Sequence, residues 1–147
     1  MIPFGSPAEA FQLALCAELC SQLAHTTSAP VLLQRLARYE QRTITLNDAS
    51  VVLGAGARYL AMLEVVMGDW DHAERHMEMA LDTTRRLESP PWIARTQHDY
   101  ARMLLARGAA GDLQRALALN AEALATARER GMRKVAADCE RLLATVM

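Results

Sequence analysis

The sequence predicts an all-α fold: a superhelix of about three helical hairpins closed by a C-terminal capping helix, seven helices in total. Three observations point there. Leu60, Ala61, Gly68, Ala73, Ala80 and Leu81 reappear as Tyr100, Ala101, Gly108, Ala116, Ala123 and Leu124, the first three after 40 residues and the last three after 43. Units of that length, one helical hairpin each, cannot bury an apolar face alone and stack on neighbours. The composition is 52% hydrophobic and 5% aromatic, and its main apolar residues, Ala, Leu and Met, are strong helix formers. Glycine and proline fall between the apolar runs of helical period, where they end and start helices.

Taken in order, Ser6-Pro7-Ala8-Glu9 starts helix one, with Ser6 as cap, Pro7 in the first turn and Glu9 completing a capping box. That helix runs to about His25, Thr26 to Ala29 turn, and Pro30 opens helix two, which carries Val31, Leu32, Leu33, Leu36 and Tyr39 to about Gln41. Residues 42–50, with Thr43, Ile44, Thr45 and Asn47-Asp48, have weak helical pattern and read as the longest connection. Helix three spans roughly Val51 to Met67 and ends at Gly68; Asp69 or Asp71 caps helix four, which continues to about Glu88. Ser89-Pro90-Pro91 breaks the chain before helix five, Trp92 to Arg107, and Gly108 ends it. The change of repeat spacing from 40 to 43 places a three-residue insertion within Ala109 to Gly111. Helix six runs from Asp112 to Gly131. The last helix puts Met132, Val135, Ala136, Cys139, Leu142, Leu143 and Val146 on one stripe, as a capping helix requires. The chain thus reads as one domain, 1–147: a degenerate repeat 6–41, the connection 42–50, repeats 51–88 and 91–130, and the cap 132–146.

Helix one is apolar on more than one side, with Phe11, Leu15 and Leu19 outside any single stripe. Either a further segment packs there, or two copies of the chain meet through it. The net charge is −1, from 16 basic and 17 acidic residues interspersed along the chain, so no global field favours nucleic acid or an anionic membrane. Residues 1–23 lack a basic leading region and are interrupted by Glu9, Gln12 and Glu18, which fits neither a signal peptide nor a membrane span. Three cysteines, two of them one helical turn apart, fit a reduced, intracellular setting, and the expectation is a cytoplasmic protein.

The residues resemble the tetratricopeptide repeat family, whose unit of about 34 residues joins two helices through a Gly-Asp-aromatic turn and places alanines in the second helix. Gly68-Asp69-Trp70, Ala73 and Ala80 carry the resemblance, with Leu60 and Ala61 before them and Gly108, Ala116 and Ala123 in the second copy. The departures are a longer period, Arg85 where the family usually has a proline, and the insertion. More narrowly, Ala57-Arg58-Tyr59-Leu60 through Trp70, Pro91 to Thr96 and Asp99 to Gly108 resemble the C-terminal repeats of large bacterial signalling ATPases joined to cyclase or helix-turn-helix domains. The resemblance implies a scaffold that binds protein, not a chemistry.

The residues themselves offer little chemistry. No Gly-x-x-x-x-Gly-Lys-Ser/Thr loop is present, and Gly54-Ala55-Gly56 lacks both a third glycine and an expected preceding strand. His72 and His76 lie one turn apart but want two further ligands, and His-Ala-Glu-Arg-His departs from the zinc-protease pattern, so no metal and no cofactor is expected. Cys16, Cys20 and Cys139 sit in apolar stripes, and His98-Asp99 has no triad order, so the expectation is not an enzyme. The family's concave positions, carried over, give Arg58, Tyr59, Met62, Val65 and Val66 from helix three and Arg95, His98, Asp99, Arg102 and Leu105 from helix five. There Tyr59 and Met62 would anchor a peptide or helix and the arginines would pair with its carboxylates. The alternatives are a structural module that self-associates through Phe11, Leu15 and Leu19, and a sensor taking a small ligand.

Overall fold

The computed structural model describes residues 5–46 and 51–147. Among them are the seven helices: α1 Pro7–Gln22, α2 Ala29–Leu36, α3 Gly56–Met67, α4 Trp70–Arg86, α5 Pro90–Arg107, α6 Asp112–Glu129 and α7 Arg133–Val146. A 3₁₀ turn, Ala37–Tyr39, extends α2, and two strands, β1 Thr43–Leu46 and β2 Val51–Ala55, stand between it and α3. No helix among the described residues is long and apolar enough to cross a membrane. The chain divides into two compact units, residues 1–83 and 84–147.

The first unit departs from the expectation at one place. Val51–Ala55 is a strand, not the start of helix three, and it pairs antiparallel with Thr43–Leu46 of the expected connection. The β-branched residues Thr43, Ile44, Thr45, Val51 and Val52 prefer this pleated geometry, which outweighs the apolar run that Val51 shares with α3. Asn47 and Asp48, read as loop, lie outside the described residues. The register shifts between Ile44, opposite Gly54, and Thr45, opposite Val52, leaving Leu53 as the extra residue of a bulge; Gly54 has φ +87° there. The Leu53 carbonyl receives the Tyr59 hydroxyl at 2.7 Å, so the bulge is fastened to the first turn of α3.

Gly56, which opens α3, has a packing reason. A Cβ there would sit 2.0 Å from the Tyr39 carbonyl oxygen, while its own N–H donates to the Arg42 carbonyl at 2.8 Å. The core of this unit joins one face of α1 (Ala10, Leu13, Ala14, Ala17, Cys20) to Leu36, Tyr39, Ile44, Leu60 and Leu63. Ser6 caps α1 as expected, its Oγ accepting the Glu9 N–H at 3.2 Å. Glu9 returns a bond to the Gly5 N–H, one residue earlier than a standard capping box, and its other bonds reach α2 and the 3₁₀ turn: Arg35 at 2.7 Å and the Tyr39 hydroxyl at 3.2 Å. The Arg35 guanidinium, then the Gly5 N–H, hold the Glu9 carboxyl below its ordinary range.

The second unit is more regular. Pro90 and Pro91 open α5, and Gly108, at φ +66°, ends it with its N–H on the Leu104 carbonyl. The three inserted residues form the next turn, held by Asp112: its carboxylate accepts from the Arg107 Nε and Nη2 at 2.8 Å each and from the Ala109 N–H at 2.9 Å. The Arg107 pairing brings Asp112 down to about 2. α7 lays Val135 and Cys139 against Ala94, Ala123, Leu124 and Ala127, with Met132, Ala136 and Leu143 flanking, as its stripe predicts. The twice-occurring pattern also matches in its surroundings. Leu60, Ala61, Ala73, Ala80 and Leu81 are buried, and so are Tyr100, Ala101, Ala116, Ala123 and Leu124; Gly68 and Gly108 both adopt positive φ as helix caps. Alanine fills much of both interiors, with Ala14, Ala17, Ala29, Ala61, Ala73, Ala80, Ala94, Ala101, Ala123 and Ala127 all fully covered.

Candidate functional site

The residues carried over as a groove fare unequally. Arg58, Tyr59 and Met62 are 3, 1 and 6% exposed. Tyr59 and Met62 belong to the core of the first unit, and the Arg58 guanidinium lies 5.1 Å from the Tyr59 ring centroid. The expectation that Tyr59 and Met62 anchor a partner is therefore corrected: they are interior, packed in the core that α3 shares with α1 and α2, and the Tyr59 hydroxyl is spent on the Leu53 carbonyl of β2. Val65 is half-buried, and Val66 packs against the same core. In the second unit, Arg95 lies 5.5 Å from the Trp92 ring centroid, Asp99 and Leu105 are half-buried, and His98 is buried. Arg102 is exposed.

Two buried polar clusters were not visible in the sequence. In the first unit, the His76 Nδ1 stands 2.7 Å from Glu64 and its Nε2 2.7 Å from Glu40, while His72 is exposed and paired with Asp69 at 2.9 Å. The two histidines considered as a metal pair thus face different partners, and no group of three potential ligands among the described residues is arranged to hold a metal. In the second unit, the Cys139 Sγ lies 3.6 Å from the His98 Nδ1, which is also 3.1 Å from the Asn120 Oδ1. The three residue types are those of a thiol protease, but the geometry is not. Both neighbours compete for one ring nitrogen, whereas a relay needs the thiol on one nitrogen and the amide on the other. Cys139 is fully buried, and burial pushes its thiol up to about 11, away from the thiolate that a nucleophile requires. Asn120 instead ties helices together, donating from Nδ2 to the Cys139 carbonyl at 2.9 Å.

The surface that does collect exposed apolar side chains is on α1 and α2. Leu15, Leu19 and Leu23 are 44, 58 and 73% exposed, and Val31 is 60% exposed. At about 100° per residue, positions four apart form one stripe, and it lies opposite the buried stripe Ala10, Leu13, Ala14, Ala17 and Cys20. Phe11, half-buried, continues the exposed stripe towards the helix start. This explains why α1 has no single apolar side in sequence: it has two, back to back. Between the end of α1 and α2 runs an open groove of about 580 Å³, lined by Cys16, Leu19, Cys20, Leu23, Val31 and Leu32 with His25, Thr27 and Ser28 at its edge. Its floor is fixed by the Cys20 thiol, which donates to the His25 carbonyl at 3.1 Å. No charged side chain other than Glu18 and the Arg35-paired Glu9 occurs on α1. Comparison with protein-family models, with curated proteins and with solved structures finds no match to this chain.

Proposed function

We propose that this chain is a non-catalytic helical interaction module that associates with a second copy of itself through the α1–α2 apolar face. The observation that carries the proposal is the stripe Leu15, Leu19, Leu23 with Val31, four large side chains left in water beside an apolar groove. Covering a leucine or valine is worth about 1.5–3 kcal/mol, so leaving several together uncovered is costly unless they have a partner. The stripe favours a second copy because a two-fold interface sets the same patch against itself: charges would repel across it, and Leu15, Cys16, Leu19 and Leu23 carry none. The regular helix pairs with glycine-capped turns agree with the tetratricopeptide resemblance, a scaffold that presents surfaces rather than reacting groups.

Light scattering through a dilution series tests it. The wild type is expected to be a dimer that dissociates on dilution, and Leu19→Asp a monomer of unchanged helicity, because the exposed Leu19 contributes little to the fold. Leu23→Asp serves as the second variant. A wild type that stays monomeric up to about 100 µM defeats the proposal.

A further inference from the structure

The buried cluster of Glu40, His76 and Glu64 is not used by the α1–α2 surface. Its three members come from different elements of the first unit: Glu40 follows the 3₁₀ turn, Glu64 lies on α3 and His76 on α4. The side chains of His76 and Glu64 are 6 and 4% exposed, and that of Glu40 is 31% exposed. A carboxylate only accepts hydrogen bonds, so an imidazole bonded to one at each nitrogen must carry two protons. We propose that these three residues form a proton-gated clamp, in which doubly protonated His76 ties the Glu40 turn, and the β1–β2 hairpin that follows it, to α3 and α4.

Loss of one proton has a definite direction. The remaining N–H stays with Glu64, the more deeply buried of the two carboxylates, and Nε2 then turns a lone pair on the Glu40 carboxylate. Glu40 can move into solvent, so it is the arm released. The backbone bonds of the turn it leaves, from the Glu40 N–H to the Ala37 carbonyl, from the Arg42 N–H to the Tyr39 carbonyl and from the Gly56 N–H to the Arg42 carbonyl, do not reach α4, and β1 begins at Thr43. The acidic groups acting on His76 are Glu64 from α3, Glu40 from the turn and, from the α3–α4 turn, Asp69, whose carboxyl is itself lowered first by His72 and also by the His76 charge. Burial pulls the imidazole down, but the bonds and charges of the two glutamates outweigh it and the net shift is upward from 6.5. A raised folded value means the clamp is complete below about 6.5 and is lost as the pH rises through that higher value.

Imidazole NMR of the full chain from about pH 5 to pH 10, with amide hydrogen exchange over the same range, tests the clamp. Expected are two ring N–H protons on His76 at neutral pH, a midpoint above 6.5, and about a tenfold loss of protection in Thr43–Leu46 and Val51–Ala55, after correction for intrinsic rates, as His76 deprotonates. Glu40→Gln, with an amide that can donate to neutral imidazole, should make the hairpin's protection independent of pH; this variant carries the test if His76→Gln does not fold. A singly protonated His76 at neutral pH, or a hairpin that loosens equally in Glu40→Gln, overturns the proposal.

Discussion

The two compact units handle irregularity differently. In residues 84–147 the helices are 18, 18 and 14 residues long, joined by glycine-centred turns; the buried polar groups include the uncharged Thr96, Gln97 and Asn120, and the buried carboxylate Asp112 is paired locally, with Arg107 five residues before it. In the described part of residues 1–83, α2 is 8 residues long, a bulged hairpin interrupts the helices, and buried carboxylates recur: Glu9 with Arg35 and Tyr39, and Glu64 with His76. Repeating helices fix one another by packing along their length. A short helix and a hairpin have fewer such contacts, and in this chain charged hydrogen bonds between elements distant in sequence supply the fixing. Ion pairs of this kind set position more dependably than they add stability, because burying the charges offsets much of their attraction.

The largest effect that separates the units is expected at their glycines. Gly56→Ala drives a Cβ into a backbone oxygen, which neither partner can relieve by changing rotamer, and should cost about 3 kcal/mol by urea denaturation. Gly108→Ala meets no close atom except a distant carbonyl and pays only for its left-handed backbone, about 1 kcal/mol. Equal losses at the two sites would remove the distinction between a packed hairpin and a capped helix. Between these, Asn120→Ala strips the amide from the Cys139 carbonyl and from His98 and should cost about 2 kcal/mol, read by the same denaturation. An unchanged midpoint would mean that the second unit's polar interior is dispensable. The smallest disturbance is chemical. A thiol reagent at neutral pH should modify exposed Cys16 quickly and Cys139, covered and pushed up to about 11, only as the unit opens. Rapid labelling of Cys139 in the folded chain would contradict its placement.

How much of this was legible depends on the kind of signal. Periodicity carried the helices: the paired positions Leu60 and Tyr100, Ala61 and Ala101, Ala80 and Ala123 are all interior. The hairpin was missed because Val51-Val52-Leu53 runs into the apolar start of α3 and reads as its first turn. Clusters of β-branched residues on both sides of Asn47-Asp48 were the available signal. Arg58 and Tyr59 read as groove residues because a long polar side chain is ordinarily given to the surface, whereas both are interior, Tyr59 in the core that joins α3 to α1 and α2. The clusters Glu40–His76–Glu64 and His98–Asn120–Cys139 join residues up to 36 and 41 positions apart, which no local pattern reports. The stripe of exposed Leu15 and Leu19 with half-buried Phe11 was legible because a helix apolar on two sides needs two covers.

The alanines that fill the interior have a consequence for how the chain can change. A side chain of one methyl group lets helix backbones approach closely and leaves almost nothing to truncate, so the usual damage of large-to-small substitution is small there. Enlargement is the damaging direction. At Ala14, Ala61, Ala101 or Ala123, fully covered, even one added carbon has to push a helix aside. The mutational paths open to such an interior are therefore one-sided, with glycine within reach and valine or leucine closed off, and a map of tolerated substitutions would trace the helix contacts through its smallest residues rather than its largest.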